Sequence, residues 1–194
     1  MIGPLLRRLL SPMRHRGTAF ARDDRGTTAI EFGLLALPFF TIVFAIIETS
    51  IIFMAGQVLD SAVQDASRKI RTGESQALSL EQFRTDVCNG LFKLFKCSDL
   101  KIVVKPLTSF NDYASQVITV PITPNCTPTA LNSYCWQVTE TYQAGTGSSI
   151  ELVQVFYKWP TIINFGGLNL SNQSDAGGAR LLSATRVFLN EPYE

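Results

Sequence analysis

From Phe32 to Ile47 the chain reads FGLLALPFFTIVFAII, and after Glu48 it continues TSIIFMAG. A soluble core helix of this length would carry polar positions at a 3.6-residue period, and this stretch carries almost none. About 25 helical residues, at about 1.5 Å each, cross a hydrocarbon core of about 30 Å with some tilt. The pattern predicts a transmembrane helix. The periodicity then changes. Ala55, Leu59, Ala62, Val63, Ala66 and Ile70 fall on one helical face, while Gln57, Ser61, Gln64 and Arg68 lie elsewhere. One helix is expected from about Ala29 to Thr72, roughly 65 Å long, apolar all round at first and amphipathic afterwards. Asp65 and Lys69 have the spacing of a favourable i, i+4 pair. Arg68, Lys69 and Arg71 suit the negative end of the helix dipole, and Gly73 is a stop.

The remaining pattern predicts a small domain. Ser79 and Gln82 have capping-box spacing, and Leu80, Phe83, Val87, Leu91 and Leu94 follow at helical intervals. Strands are expected at Lys101–Val104 with a stop at Pro106, at Gln116–Val120, at Cys135–Thr141, at Ile150–Trp159 and at Ala179–Asn190. Pro121–Thr129 is proline-rich and predicts a loop, and Asn164–Gly178, rich in Gly, Ser and Asn, predicts a mobile one. Val153, Val155, Tyr157 and Trp159 share one strand face. The aromatic stretch from Phe156 to Trp159 reads as core, with a ligand groove as the rival. The amphipathic half of the long helix must bury its stripe, and this domain is the simplest partner. The fold class is α+β: a long N-terminal helix, transmembrane then amphipathic, packed on a mainly antiparallel sheet.

Charge sets a direction. Arg7, Arg8, Arg14, Arg16, Arg22 and Arg25 precede the apolar run, and no Lys or Arg follows it until Arg68. Positive residues stay on the cytoplasmic side, so the N-terminus is expected inside and the rest exported. A cleaved secretory signal would have a shorter apolar stretch, about 7–15 residues, and an A-x-A-like site, which is absent here. Pro38 removes the backbone bond to Leu34 and predicts a helix kink. Glu31 and Glu48 are costly in lipid and call for a partner or a role. Glu31 reads as an interfacial residue or a functional one. Glu48 reads as snorkelling outward or facing a partner helix.

Composition narrows the function. Net charge over the 194 residues is +1, which gives no electrostatic case for nucleic acid. The one histidine, His15, lies in the basic leader, so histidine-dependent catalysis and histidine-rich metal sites are excluded from the main domain. No Gly-x-Ser-x-Gly elbow, phosphate loop or dinucleotide fingerprint occurs, and no enzyme activity, catalytic residue, metal or cofactor is expected. Eight residues separate Cys88 from Cys97, and eight separate Cys126 from Cys135. The spacing lacks the C-x2-C of a zinc site. In an exported domain the four cysteines favour disulfides, and three connectivities are open. The two local pairs, Cys88–Cys97 and Cys126–Cys135, are the preferred reading, each closing a loop of about ten residues and contributing about 2–3 kcal/mol.

The stretch Arg25-Gly26-Thr27-Thr28-Ala29-Ile30-Glu31-Phe32 places Gly-x4-Glu-Phe between a basic leader and a membrane helix. It resembles the processing site of Flp-class type IV pilins. Continued through Gly33-Leu34-Leu35-Ala36-Leu37-Pro38, it resembles the opening of TadE-like proteins, minor pilins of the Tad system. Val58–Gly73, Tyr157-Lys158-Trp159-Pro160 and Phe188–Tyr193 are similar to stretches of that family, whereas Cys88–Cys135 carries no matching motif. The resemblance implies that a membrane peptidase cuts between Gly26 and Thr27, leaving Glu31 and Phe32 as the fifth and sixth residues. Glycine admits an extended backbone to a narrow protease cleft. The new ammonium group would pair with Glu31 of a neighbouring subunit, setting register between helices in low dielectric. It further implies a cytoplasmic leader at 1–26, a membrane helix with its extension at 27–73 and an extracytoplasmic domain at 74–194. The setting would be the inner membrane, crossed once, with the domain periplasmic or, after assembly, extracellular on the pilus. Partners would be other pilin subunits, assembly-platform membrane proteins, the prepilin peptidase and the lipid bilayer. The alternative is an uncleaved, membrane-anchored periplasmic scaffold or ligand-binding module.

Overall fold

The computed structural model describes residues 26–74, 79–119, 138–165, 168–172 and 178–192. The basic leader before Gly26, the proline-rich loop Pro121–Thr129 and the pair Cys126–Cys135 lie outside the described residues. The chain divides into two compact units, Met1–Phe44 and Ala45–Glu194.

Helix α1, Thr27–Arg71, runs through both. In the first unit its apolar side chains, among them Phe32, Leu34, Leu35, Phe39, Ile42 and Phe44, are exposed. Phe39 and Phe40 meet edge-on at 5.4 Å, and Phe44 stacks on Phe40 at 6.3 Å. Pro38 lies within the helix, which continues through it. Thr41 donates to the carbonyl of Leu37 at 2.8 Å, so its hydroxyl is satisfied inside the helix.

In the second unit the predicted stripe is the core. Ala55, Leu59, Ala62, Val63, Ala66 and Ile70 are all buried, while Gln57, Ser61, Gln64 and Arg68 are exposed. Gly73, at φ 83°, takes the left-handed conformation past the helix end, and its N–H donates to the carbonyl of Ile70. Lys69 does not pair with Asp65; its ammonium group meets Asp86 on the next helix at 2.8 Å. A fixed acid on a packed neighbour displaces a flexible surface pair.

Helix α2, Leu80–Asn89, begins with the reciprocal Ser79–Gln82 capping box. It buries Phe83 and Val87. It stops sooner than the hydrophobic spacing predicts, with Gly90 as its cap, and beyond it Phe92 and Lys93 adopt left-handed φ values of 48° and 60°. Leu91 still reaches the core, but Leu94 is exposed.

Strands β1 (Lys101–Leu107), β2 (Thr141–Tyr142), β3 (Ile150–Pro160) and β6 (Ala179–Leu189) form one sheet in the order β2-β1-β3-β6. β1–β3 and β3–β6 are antiparallel, and β1–β2 is parallel. The fold is α+β, the long helix packing on a mixed, mostly antiparallel sheet. Pro106 does not end β1 but pairs with Glu151 inside it. Among the described residues β2 covers β1 only at Val103 and Val104, and beyond them a residue without N–H is tolerated.

Two predicted strands differ over their described residues, 116–119 and 138–141. Over Gln116–Val120, residues Tyr113–Gln116 form a short helix, α3, and Val117–Thr119 are not in a strand. The buried amide of Gln154 takes the N–H of Ile118 at 2.9 Å and donates to its carbonyl at 3.3 Å, so this segment is held over the face of the sheet by a side chain and not in its ladder. Over Cys135–Thr141, only Thr141 is strand among the described residues. Just before it, the Glu140 carboxylate accepts the N–H of Ile102, so a side chain rather than a strand backbone meets β1. Asn164–Gly178, expected as loop alone, contains the antiparallel hairpin β4 (Asn164–Phe165) and β5 (Leu168–Asn169).

On the helix-facing side Val153, Val155 and Tyr157 are buried, with Trp159 packed beside them. Phe95 meets Tyr157 at 4.7 Å and Trp159 at 5.3 Å, both edge-on, so these aromatics are core rather than groove lining.

Candidate functional site

The motif residues lie at the start of α1. Gly26 directly precedes the helix, with open space around its α-carbon, and Thr27 is the first helical residue. Glu31 and Phe32 follow on the first turns, both exposed, and Glu31 has no partner among the described residues. A carboxylate and a phenyl ring thus stand bare one turn past the glycine, at the head of an apolar helix. Among the described residues this is the one helix long and apolar enough to cross a membrane.

Glu48 behaves differently. It neither snorkels nor faces another helix. Only 8% of it is exposed, and its carboxylate accepts the backbone N–H of Ile162 and, at 2.9 Å, that of Ile163. Both groups follow the end of β3. The acid in the apolar run is a receptor for the chain's own backbone, and two donors offset much of the cost of burying it. Its position among apolar residues signalled a partner, but the partner is 114 residues away and is a main chain, which no side-chain pattern reports.

The same helix is tied at further points. Arg186 on β6 pairs with Asp60. The N–H of Glu191 donates to the carbonyl of Arg71 at 2.9 Å, and their side chains approach to 3.6 Å. From Glu48 to Arg71 the helix is held beside the sheet at both ends and in the middle.

A second polar centre joins α2 to the sheet. Arg84 binds Glu140 at 2.8 Å and donates to the carbonyls of Leu100 and Cys97. Lys101 approaches the other oxygen of Glu140 at 3.4 Å. Burial pushes the Glu140 carboxyl up, but the Arg84 hydrogen bond and charge, the Ile102 N–H and Lys101 outweigh it and hold it below its ordinary value. Glu151, fully buried, goes the other way: burial raises it despite hydrogen bonds from Ser149 and Gly145. Cys88 and Cys97 are joined by a disulfide beside this centre, fixing the end of α2 to the turn before β1. No group of three or more His, Cys, Asp or Glu residues able to hold a metal occurs among the described residues.

These features define a class: an α+β protein in which one long N-terminal helix supplies both an exposed apolar segment fit for a membrane and the core helix of a disulfide-bearing domain. Residues 26–68, less than a quarter of the chain, match the family model for TadE-like protein. With the apolar helix, that match fits a membrane protein associated with the Tad pilus. No curated protein and no solved structure matches the chain.

Proposed function

We propose that this chain is a minor pilin of a Tad-type pilus, cut between Gly26 and Thr27 and inserted into the assembly by α1. The observation that carries the reading is the coincidence of three boundaries. The family match begins at residue 26, the helix begins at Thr27, and an exposed, unpartnered Glu31 follows one turn later. A carboxylate spaced in this way cannot readily reach its own new N-terminus and stay packed, but it can reach that of a neighbouring subunit.

The six arginines before the helix favour a cytoplasmic leader, which makes the second unit extracytoplasmic. The Cys88–Cys97 disulfide suits an oxidising compartment. The role is structural rather than catalytic, and the partners are other pilin subunits, the assembly platform, the peptidase and the bilayer. The test is the N-terminus of membrane-extracted protein, read by intact-mass and peptide mass spectrometry in cells with and without the prepilin peptidase. A start at Thr27 that requires the peptidase supports the proposal, and a Glu31→Ala variant that is cut but fails to enter filaments supports the register role. A start at Met1 in both strains overturns it and leaves an anchored periplasmic assembly factor.

A further inference from the structure

We propose that the loop after β3 is a second membrane contact, with Ile162 entering the lipid interface beside α1; this rests on the membrane-anchored reading above. Ile162 is 91% exposed, more than any other large hydrophobic residue of the chain's described part. It is not at the tip of a free loop. Its N–H and that of Ile163 are held by the buried Glu48 carboxylate, so its backbone is pinned to one turn of α1. That turn carries Ile47 and Ile51, both exposed, with Phe53 and Met54 exposed just beyond.

The level of this turn identifies the occupant. Counted from Phe32, where the apolar run begins, about 20 helical residues cross a hydrocarbon core of about 30 Å, which brings the boundary to the turn from Glu48 to Ile51. An apolar side chain fixed beside that turn lies at the surface the helix is leaving. Arg180, exposed and paired with Trp159 at the same end of the sheet, adds a cation of the kind that meets phosphate headgroups. The Glu48 contact then has a use beyond stability. It sets the depth of the domain, because the helix cannot slide outward without lifting Ile162 from the lipid.

The full-length protein would be reconstituted in vesicles of phosphatidylethanolamine and phosphatidylglycerol, carrying the photo-crosslinker benzoylphenylalanine in place of Ile162, Ile42 or Phe110. Ile42 lies in the apolar run. Phe110 is exposed beyond the opposite end of the sheet, past Leu107, which pairs with Ile150. Adduct masses after illumination are the readout. Phospholipid adducts at 162 comparable with those at 42, and well above those at 110, are expected. Lipid adducts at 42 but not at 162 overturn the inference while the membrane reading stands. Crosslinks from 162 to a second copy also overturn it, assigning the loop to subunit contact. Absence of lipid adducts at 42 overturns the membrane reading itself.

Discussion

Glu48 and Ile163 are 115 positions apart in sequence, yet the carboxylate of the first accepts the backbone N–H of the second at 2.9 Å. With the Ile162 N–H on the other oxygen, the contact locks the start of the domain's core helix to the turn that follows β3. Glu48→Ala leaves both donors without this acceptor and should cost about 1–3 kcal/mol. Glu48→Gln, which keeps one acceptor, should cost less. Thermal unfolding of the full chain in detergent, followed by near-ultraviolet circular dichroism, gives the order. Equal stability of the alanine variant and the parent would show that the contact contributes nothing.

Glu140 provides a pH-dependent test. Its folded pKa lies below the ordinary 4.5, so its contribution is complete above that value and is lost as pH falls through the lowered one. Glu151 is raised, so its contribution is present below 4.5 and is lost as pH rises through the raised value. Glu140→Gln should cost about 1–3 kcal/mol at neutral pH, and the cost should shrink as the medium is acidified below 4.5. Glu151→Gln should instead flatten the decline on the neutral side. Unfolding midpoints taken across pH for both variants distinguish the two signs, and parallel profiles would contradict the assignment.

The disulfide closes a loop across the end of α2. In the loop-entropy account, removing a link of about ten residues lowers stability by about 2–3 kcal/mol. The paired variant Cys88→Ser with Cys97→Ser should show that loss in a denaturant titration of the full chain. Phe92 and Lys93, held at positive φ within the loop, should then exchange their amides faster. Unchanged exchange would mean that packing of Leu91 and Phe95 orders the loop without the bond.

The long helix and the central strands were legible because each repeats one burial rule over many residues. Six stripe positions from Ala55 to Ile70, and the face of Val153, Val155 and Tyr157, are core as their spacing implies. Among what escaped were the places where a side chain binds a distant backbone. Gln154 pairs with Ile118, and Glu140 with Ile102, where the described parts of two predicted strands are not in the ladder. Glu48 is the same device on the helix. Its cost in an apolar run was visible, but its solution depended on a main-chain turn whose position only the folded sheet supplies. The opening motif from Gly26 to Phe32 was legible as a family resemblance, and the match over residues 26–68 coincides with it.

Two glycines, one closing α2 and one inside α1, should respond oppositely to the same change. A methyl group at Gly90 would stand 2.8 Å from the Cβ of Ala62 and 3.1 Å from its Cα, so the end of α2 approaches α1 too closely for any side chain. Gly90 has an ordinary right-handed backbone, so the constraint is space and not conformation. Gly90→Ala should therefore force the helices apart and cost about 1–3 kcal/mol as overpacking. Gly56 lies inside α1 with nothing within 4 Å of the added carbon. There the helix gains a better former and less freedom is lost from the unfolded chain, so Gly56→Ala should raise stability by up to about 1 kcal/mol. The comparison is made on the full chain in one detergent, by unfolding midpoint. If both variants are destabilised alike, the loss reflects general intolerance of α1 and its neighbour, and the close approach at Ala62 is not what limits Gly90.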